Sequence, residues 1–449
     1  MPTHLIVLAA GQGTRMNSDT PKVLHEIAGL PMYAHALASA RALDPGRRVL
    51  VVGHGGDAVA TSAAVLDPEI AIVQQEEQLG TAHAVAQSST ALDGAQGDAL
   101  VLYGDTPFIR PETLAAMSEA RGAGADVVIL GFEAADPGRY GRLIMNGATL
   151  DRIVEWKEAE PEERAITLCN SGVVLADANV LLDLVRRVKN DNAAGEYYLT
   201  DIVGLARSDG MRATAVICDE AETLGINSRA DLATAEAAFQ AARRQEAMQD
   251  GVTLTAPETV FFAHDTVIGR DSTVEPHVVF GPGVTVETGA RIRAFSHLEG
   301  CHVGSGATVG PYARLRPGTE LGNGSRVGNF CEIKASEIGE GAKVNHLSYI
   351  GDASVGAATN IGAGTITCNY DGVSKHRTEI GERVFVGSNT MLVAPVRVGD
   401  AAMTATATTV TRDVPAGAMA IARTRQDNKE GFAIRLMDKL RAARARKKG

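Results

Sequence analysis

Aromatic residues, cysteines and long apolar runs are all scarce in this sequence. Phenylalanine, tryptophan and tyrosine make up only 4% of the chain, and no apolar stretch is long enough to span a bilayer. The five cysteines are scattered and form no C-x-x-C pair, which is typical of reduced thiols and argues against a disulfide framework or a zinc site. The first apolar run is short and has no basic segment before it, so we expect no signal peptide and a cytoplasmic protein.

The charge and the length narrow the classes of protein further. A formal net charge of -11 argues against a general nucleic-acid binder, so no nucleic-acid partner is expected. The 449 residues exceed what one ordinary core holds, which predicts two domains. Glycine is abundant, with 48 copies.

Residues 1–229 alternate strand patterns with helix patterns. Apolar runs at 49–55, 98–107 and 125–132 end in turn residues, and alanine-rich helical stretches such as 32–43 lie between strands. This alternation predicts an α/β domain with a mostly parallel sheet. Ligands of such sheets bind at the carboxyl ends of the strands.

A single amphipathic helix is predicted next, over 231–248. Leu232, Ala235, Ala238 and Phe239 share one of its faces. We interpret residues 230–250 as a helical linker between two domains.

From about residue 260 the period changes to six. Glycine often follows the repeated apolar residue, as at Gly269, Gly304, Gly310, Gly328, Gly339, Gly351 and Gly362. This period is the signature of a hexapeptide β-helix, and we assign residues 251–449 to such an all-β domain. Hexapeptide helices are known to be left-handed, so we expect that hand here, although the period by itself does not show it. We expect the glycines to occupy corners that need positive φ. With an occasional five-residue step, the repeated apolar positions are Ile268, Val274, Phe280, Val286, Ile292, Leu298, Val303, Val309, Leu315, Leu321, Val327, Ile333, Ile338, Val344, Ile350, Val355 and Ile361.

Two segments of the second domain depart from the repeat. Residues 368–379, CNYDGVSKHRTE, are too polar and too long for a corner and should form a protruding loop. The chain after Arg423 becomes basic and helical, which predicts a solvated terminal helix.

The stretch LAAGQGTRMNSDTPK at 8–22 follows an apolar run and indicates a strand that opens into a phosphate-binding loop. It lacks the Walker A spacing, and Met16 stands where a dinucleotide-binding loop has its third glycine. The loop is therefore predicted to bind phosphate as a glycine-rich loop of a type that is neither Walker A nor dinucleotide-binding.

The order of the motifs resembles the bacterial family of bifunctional N-acetylglucosamine-1-phosphate uridyltransferases and glucosamine-1-phosphate N-acetyltransferases. The resemblance covers nearly the whole chain. Besides the loop at 8–22 it rests on QLGTAHA (78–84), LYGDTP (102–107), YGR (140–142), IVEWK (153–157), CNSG (169–172), GIN (225–227), RLRPG (314–318), NHLSYIGDA (345–353) and NIGAGTITCNYDG (360–372).

The resemblance implies a Rossmann-like nucleotidyltransferase domain that transfers UMP from UTP to N-acetylglucosamine 1-phosphate. Arg15 and Lys22 would neutralise the triphosphate and the leaving pyrophosphate, and Asp105 and Asn227 would hold Mg²⁺. Gln75, Gly80 and Thr81 match the contacts to uracil. The full set of matching UDP-N-acetylglucosamine positions is Leu8, Ala9, Ala10, Gly11, Lys22, Gln75, Gly80, Thr81, Tyr103, Gly104, Asp105, Gly141, Glu155, Asn170 and Asn227.

For the second domain the resemblance implies acetyl transfer from acetyl-CoA to glucosamine 1-phosphate. His346 matches the base that takes the proton of the attacking amine, and we interpret Glu332 as a partner that orients its imidazole. The matching sugar-phosphate positions are Arg316, Lys334, Tyr349 and Asn360. The matching acetyl-CoA positions are Ala363, Asn369, Tyr370, Ser388, Thr406 and Arg423, of which Thr406 replaces an alanine that is commoner in the family.

Hexapeptide helices of this kind commonly assemble as trimers with active sites in clefts between neighbours. We therefore expect a homotrimer that acetyl transfer requires and uridylyl transfer does not. The resemblance also implies that the product, UDP-N-acetylglucosamine, serves the synthesis of peptidoglycan and lipopolysaccharide.

Three other interpretations are compatible with parts of the sequence. The β-helix could serve only to join nucleotidyltransferase domains, which leaves the motifs at 345–353 and 360–372 unexplained. A metal hydratase with a hexapeptide helix would need clustered histidines, and His297 and His302 lack a third ligand nearby. A scaffold without catalytic activity would leave both sets of motifs without a purpose.

Overall fold

The structure is a computed structural model that describes residues 2–446. The chain divides into two compact units between Arg243 and Arg244. The last three residues of the predicted basic tail, 447–449, lie outside the described residues.

The first unit is built on a mixed sheet covered by helices. Its strands are β1 Thr3–Ala9, β2 Glu26–Ile27, β3 Leu30–Pro31, β4 Arg48–Val52, β5 Ala71–Gln74, β6 Asp98–Tyr103, β7 Val127–Glu133, β8 Arg142–Asn146, β9 Thr149–Val154, β10 Leu168–Asp177 and β11 Ala213–Cys218. The helices of the chain are α1 Met32–Ser39, α2 Gly56–Leu66, α3 Thr81–Gln87, α4 Pro111–Gly122, α5 Pro161–Arg164, α6 Ala178–Arg187, α7 Asp201–Ser208, α8 Arg229–Gln249 and α9 Phe432–Arg446.

The main sheet has the order β11-β7-β10-β6-β1-β4-β5. Strand β1 pairs in parallel with β4 and β6, and β4 with β5, which confirms the mostly parallel sheet. Strand β10 is antiparallel to both β6 and β7, and β8 and β9 form an antiparallel hairpin beside it. Apolar residues from both faces of this sheet pack against the covering helices.

The second unit is a parallel β-helix with three faces. The first face contains Thr253–Leu254, Thr273–Val274, Arg291–Ile292, Thr308–Val309, Arg326–Asn329, Lys343–His346, Asn360–Ile361, Phe385–Val386, Met403–Thr404 and Met419–Ala420. The second face contains Val267–Ile268, Thr285–Val286, Cys301–Val303, Thr319–Leu321, Glu337–Ile338, Ala353–Val355, Thr378–Ile380 and Val396–Val398. The third face contains Val279–Phe280, His297–Leu298, Arg314–Leu315, Glu332–Lys334, Tyr349–Gly351, Ile366–Cys368, Met391–Val393 and Thr409–Val410.

The six-residue apolar period points into the core of this helix, as predicted. The predicted positions from Val274 to Ile361 are at most 3% exposed, and Ile268 packs against the same core at its end. Residues 369–377 of the polar segment protrude between the strands Ile366–Cys368 and Thr378–Ile380, and α9 is exposed along its length. Both of those expectations are confirmed.

The expectation about the glycines is only partly right. Gly310 has a φ of 93° and so needs the left-handed conformation. Gly339 does not, but a Cβ there would lie 2.7 Å from the amide nitrogen of Ala357 in the next coil. Close approach of stacked coils, rather than positive φ, therefore explains Gly339.

We expect Gly339→Ala to destabilise the β-helix by about 1–3 kcal/mol, because a methyl group would push two backbones apart. Urea unfolding followed by circular dichroism measures the loss. Gly281→Ala is the control: its φ is not positive, and the nearest atoms to its Cβ position belong to the flexible side chain of Glu299, at 3.2 Å. A midpoint for Gly339→Ala equal to that of the parent would contradict this explanation.

Candidate active sites

The first candidate site is a cavity of about 270 Å³ at the carboxyl ends of β1 and β6. Register places Leu8 of β1 beside Tyr103 of β6, because the two strands are parallel neighbours. The predicted residues that line the cavity are Leu8, Ala9, Ala10, Gly11, Lys22, Gln75, Gly80, Thr81, Tyr103 and Asp105. Gly104 lies directly behind it, and its amide donates to the Leu8 carbonyl at 2.9 Å.

The backbone after β1 is held by residues that the sequence analysis did not single out. The Gln78 side-chain amide donates to the Ala10 carbonyl at 2.7 Å. A Cβ at Gly53 would come within 2.5 Å of that same oxygen, so β4 and this turn approach closely only because residue 53 is glycine. Gln78 lies in the QLGT motif that was already noted, whereas no sequence signal pointed to Gly53.

The predicted uracil contacts form one hydrogen-bonded group. The Gln75 side-chain nitrogen lies 3.1 Å from the Gly80 carbonyl. Gly80 has a φ of 118°, and a Cβ there would lie 2.5 Å from the Tyr197 carbonyl. The Thr81 hydroxyl accepts from the Leu199 amide at 2.9 Å. The segment at 197–199 therefore supports the predicted base site from behind.

The two predicted metal ligands converge on one cation. The Lys22 ammonium donates to the Asp105 carboxylate and, at 2.8 Å, to the Asn227 side-chain oxygen. The Asn227 amide in turn donates to the Asp231 carboxylate at 2.9 Å at the start of α8. Within residues 2–446 there is no group of three or more His, Cys, Asp and Glu side chains that could hold a metal. A metal at this place would therefore be held by one carboxylate and one amide oxygen of the protein, and its remaining ligands would come from the substrate.

Arg15 belongs to the short helical turn Thr14–Met16 and is exposed, unlike Lys22. Gly13, which precedes this turn, has a φ of 62°, and a Cβ there would lie 2.5 Å from the Lys22 Cβ. The glycine-rich loop thus packs directly on the Lys22 side chain.

The predicted sugar contacts lie together beside Tyr103. The Asn170 amide donates to the Gly141 carbonyl at 2.9 Å, and a Cβ at Gly141 would lie 3.7 Å from a Glu155 carboxylate oxygen. Burial raises the pKa of Glu155, which also accepts from the Thr200 hydroxyl at 3.0 Å. Burial likewise raises the pKa of the Tyr103 phenol, so that group stays a neutral hydrogen-bonding partner.

In the β-helix His346 is hydrogen-bonded to Asn329, not to Glu332. The imidazole Nδ1 lies 3.0 Å from the Asn329 side-chain oxygen, because the two residues are register partners in neighbouring coils. Glu332 lies on the third face and accepts from Arg316 at 2.9 Å. The interpretation of Glu332 as the orienting partner is therefore wrong, and Asn329 is the residue that it missed.

A basic cluster lies near the strand that carries Glu332. It contains Arg316, Lys334 and Lys375, the last from the protruding loop. The Lys334 ammonium lowers the pKa of Lys375, and the Arg316 guanidinium adds to this effect. Lys334 lies 3.5 Å from the Asp352 carboxylate. Lys375 was not predicted, although the basic letters K-H-R within 368–379 were a signal for it.

The predicted sugar position Tyr349 is hydrogen-bonded to a predicted coenzyme position, Asn369. The Asn369 side-chain nitrogen donates to the Tyr349 hydroxyl at 3.3 Å and to the Asp352 carboxylate. Asn360 begins a strand of the first face, in register with Lys343. Tyr370 is exposed at the start of the protruding loop.

The predicted coenzyme positions form a line along one edge. The backbone amides of Gly364, Asn389 and Ala407 each donate to a carbonyl of the preceding coil. The acceptors are the carbonyls of His346, Ala363 and Ser388, at 3.2, 2.7 and 2.8 Å respectively. Thr406 occupies the equivalent position in the next coil, and its carbonyl accepts from Arg423 at 3.2 Å. The Arg423 contact to Thr406 thus involves the backbone and does not depend on its side chain.

The two histidines of the hydratase interpretation lie on different faces. His297 belongs to the third face and His302 to the second, where it bridges the carboxylates of Glu287 and Glu320 at 3.1 and 3.4 Å. They do not form a common metal site.

Comparison with known proteins agrees with this architecture. The family model for MobA-like NTP transferase domains matches residues 5–173, and that for bacterial transferase hexapeptides, with six repeats, matches residues 300–335. The curated bifunctional protein GlmU of Dinoroseobacter shibae is 66% identical over 100% of this chain and 99% of its own length. Its counterpart from Ruegeria sp. (strain TM1040) is also 66% identical over the same shares, and that of Paracoccus denitrificans is 61% identical over 98% of each chain.

A nucleotidyltransferase unit followed by a hexapeptide β-helix, each with its own polar site, defines a bifunctional transferase. The identity over the full chain is specific enough to say which one: the chain belongs to the GlmU family of bifunctional proteins. It acetylates glucosamine 1-phosphate with acetyl-CoA and transfers UMP from UTP to N-acetylglucosamine 1-phosphate, which supplies a precursor for cell-wall synthesis. Membership also implies nucleotide substrates and a divalent metal ion. Among the described residues no helix is long and apolar enough to cross a membrane.

Proposed function

We propose that the cavity at the carboxyl ends of β1 and β6 is the UTP site and that the sugar 1-phosphate enters beside Tyr103. The observation that carries this proposal is the convergence of a glycine-rich backbone, the Gln75 amide and the Lys22 ammonium on one cavity. The Gln75 side chain can pair with the polar edge of uracil through both an acceptor and a donor. Gly141, Glu155 and Asn170 then contact the acetylated sugar.

Lys22 and Arg15 act on the phosphates in this proposal. A phosphate oxygen of the sugar attacks the α-phosphorus of UTP, the bond to the β-phosphate oxygen breaks, and pyrophosphate leaves. Such a transfer depends on positioning and charge neutralisation more than on covalent help from the protein. The glycine-rich loop packs against Lys22, so closure of this loop on UTP would place the ammonium against the triphosphate.

The metal of this site is proposed to be Mg²⁺, held by Asp105 and Asn227. Their oxygens suit a hard cation, and both already converge on the positive charge of Lys22. When bound, Mg²⁺ neutralises phosphate oxygens and orients them. Lys22 must then leave these two oxygens, which frees its ammonium for the triphosphate.

His346 is proposed as the base of acetyl transfer. An amide oxygen only accepts hydrogen bonds, so the contact from Asn329 places the proton on Nδ1 and leaves Nε2 as the acceptor. Nε2 takes a proton from the amine of glucosamine 1-phosphate as the nitrogen attacks the thioester carbon. The carbon–sulfur bond then breaks, and the thiolate of coenzyme A recovers the proton.

The basic cluster of Arg316, Lys334 and Lys375 is proposed to hold the phosphate of glucosamine 1-phosphate, with Tyr349 and Asn360 at its hydroxyls. Three neighbouring cations repel one another, as the lowered pKa of Lys375 reflects, so a dianionic ligand relieves that repulsion. Acetyl-CoA is assigned to Ala363, Asn369, Tyr370, Ser388, Thr406 and Arg423.

We expect Lys375→Ala to raise the KM for glucosamine 1-phosphate about tenfold while kcat of acetyl transfer changes little, because it removes one charge-assisted phosphate contact. Release of free thiol from acetyl-CoA measures this rate. Arg377→Ala is the matched control, since Arg377 lies in the same loop but pairs with Glu337 at 3.1 Å. An unchanged KM in Lys375→Ala would remove Lys375 from the phosphate site.

The assembly is proposed to be a homotrimer in the cytoplasm, with residues 1–229 as the uridyltransferase domain, 230–250 as the linker and 251–449 as the acetyltransferase domain. All five cysteines are free, which supports a reducing compartment. The coenzyme line lies on an open edge of one chain, which supports a neighbour that completes the site. Sedimentation tests this directly: a monomer that acetylates at the full rate would refute the trimer.

The experiment that tests the whole assignment is a pair of separate assays on one protein. One follows pyrophosphate release from UTP and N-acetylglucosamine 1-phosphate, and the other follows thiol release from acetyl-CoA and glucosamine 1-phosphate. Asp105→Ala should affect only the first and His346→Ala only the second. Loss of both activities in either variant would contradict independent sites.

A further inference from the structure

The terminal helix α9, Phe432–Arg446, contains none of the residues assigned to either proposed site. Residues 421–431 join it to the last strand of the β-helix; they are exposed and form neither helix nor strand. An extended chain covers about 3.3–3.6 Å per residue, so this segment allows α9 to reach a surface that the β-helix itself does not touch.

One side of α9 is apolar and uncovered. Phe432, Leu436 and Leu440 follow one another at intervals of four residues, which places them on the same face of the helix, and Met437 adjoins that face. Phe432 is 49% exposed, Leu436 42% and Leu440 54%, and no residue of α9 is buried. We call these four residues the apolar strip. A contiguous exposed strip of this kind marks an interaction surface, whereas isolated exposed apolar residues do not.

The charge of α9 is opposite in sign to that of the whole chain, whose formal net charge is -11. Lys439 lies two turns after Phe432 and so borders the apolar strip, and Arg435 lies one turn before Lys439. Long basic side chains in such a position can lay their stems on an apolar surface and extend their charges to its rim. The basic side chains of α9 are Arg435, Lys439, Arg441, Arg444 and Arg446, and Asp438 is its only acidic one.

We propose that α9 binds to the surface of a membrane that contains anionic phospholipid. A lipid surface uses both features of the helix, because the apolar strip enters the boundary of the acyl chains while the cations meet the head groups. A nucleic acid would use the cations alone and leave the apolar strip in water. The helix lies in the surface and does not cross it, since 15 helical residues extend only about 22 Å and the hydrocarbon core is about 30 Å thick.

The proposal does not depend on the two proposed substrate sites. Because α9 contributes no residue to them, attachment to lipid should bring the whole chain to a membrane surface while both transfer reactions continue. Failure of either site assignment would therefore leave this proposal standing, and the reverse also holds.

The test is sedimentation of the full chain with lipid vesicles. One set consists of phosphatidylcholine with about 30% phosphatidylglycerol, and the other of phosphatidylcholine alone. We expect binding to the anionic vesicles to be about tenfold tighter or more. This binding should weaken as the salt concentration rises from about 0.05 to 0.5 M, because salt screens the attraction of the cations to the head groups.

The double variant Leu436→Gln, Leu440→Gln tests the apolar strip without a change of charge. Glutamine is a good helix former, so α9 should stay helical while its binding to anionic vesicles falls about tenfold or more. Ile434→Gln is the matched control, because Ile434 is 70% exposed but lies on the other side of the helix. It should bind like the parent, and both transfer rates should be unchanged in every variant.

A parent chain that remains in the supernatant with anionic vesicles would overturn the proposal. Equal binding to both sets of vesicles would overturn the role of the basic side chains. Full binding by the double variant would show that charge alone attaches α9, as for a nucleic acid, and would overturn the role of the apolar strip. An equal loss in Ile434→Gln would do the same, because the effect would then not belong to one face.

Discussion

Asp105→Ala is expected to lower the rate of uridylyl transfer by about 10²–10³-fold and to leave acetyl transfer unchanged. The carboxylate is the one negative charge that both Lys22 and the proposed Mg²⁺ use, so its removal takes away the group that positions positive charge at the phosphates. The rate of pyrophosphate release at saturating UTP measures the effect.

Asp105→Ala could lower activity in two ways: by removing a metal ligand, or by changing the balance of charge in the site without any effect on a metal. Lys22→Met separates these two causes. Removal of the ammonium frees the Asp105 carboxylate and the Asn227 oxygen, so binding of Mn²⁺ without nucleotide should become tighter in Lys22→Met and be lost in Asp105→Ala. Calorimetric titration with Mn²⁺ measures both. Equal Mn²⁺ affinity in the parent and both variants would place the metal elsewhere.

The six-residue repeat could be predicted because each apolar position in sequence corresponds to one inward position in space. The antiparallel strand β10 could not, because its apolar run is buried on both faces and carries no mark of direction. The large left-handed corner residues Phe295, Tyr312, Phe330 and Leu347 also escaped prediction. Their left-handed backbone is one that phenylalanine and leucine normally avoid, so local preference pointed the other way.

The candidate sites likewise contain residues that could be predicted from the sequence and residues that could not. Residues in continuous motifs, such as Gly80, Thr81 and Asp105, come together in one cavity as the motifs suggest. Partners set by stacking of coils were harder to find. Asn329 precedes His346 by one full coil, and only the register of the β-helix shows that they are neighbours, whereas Glu332 lies past a corner on another face.

His346→Ala is expected to slow acetyl transfer by about 10²–10⁴-fold near neutral pH, because the amine of the sugar then has no base to accept its proton. Uridylyl transfer should be unchanged, since its site belongs to the other unit. Asn329→Ala should cost less, about tenfold, because it removes only the contact that fixes the imidazole and leaves the base in place. Thiol release from acetyl-CoA measures all three rates.

The pH dependence distinguishes a base from a residue that only shapes the site. As the pH rises, a growing fraction of glucosamine 1-phosphate carries a neutral amine, which can attack the thioester without help. The deficit of His346→Ala relative to the parent should therefore shrink steadily with increasing pH, whereas a deficit caused by poor substrate positioning would stay constant. A constant ratio across the range would show that His346 holds the substrate and does not take its proton.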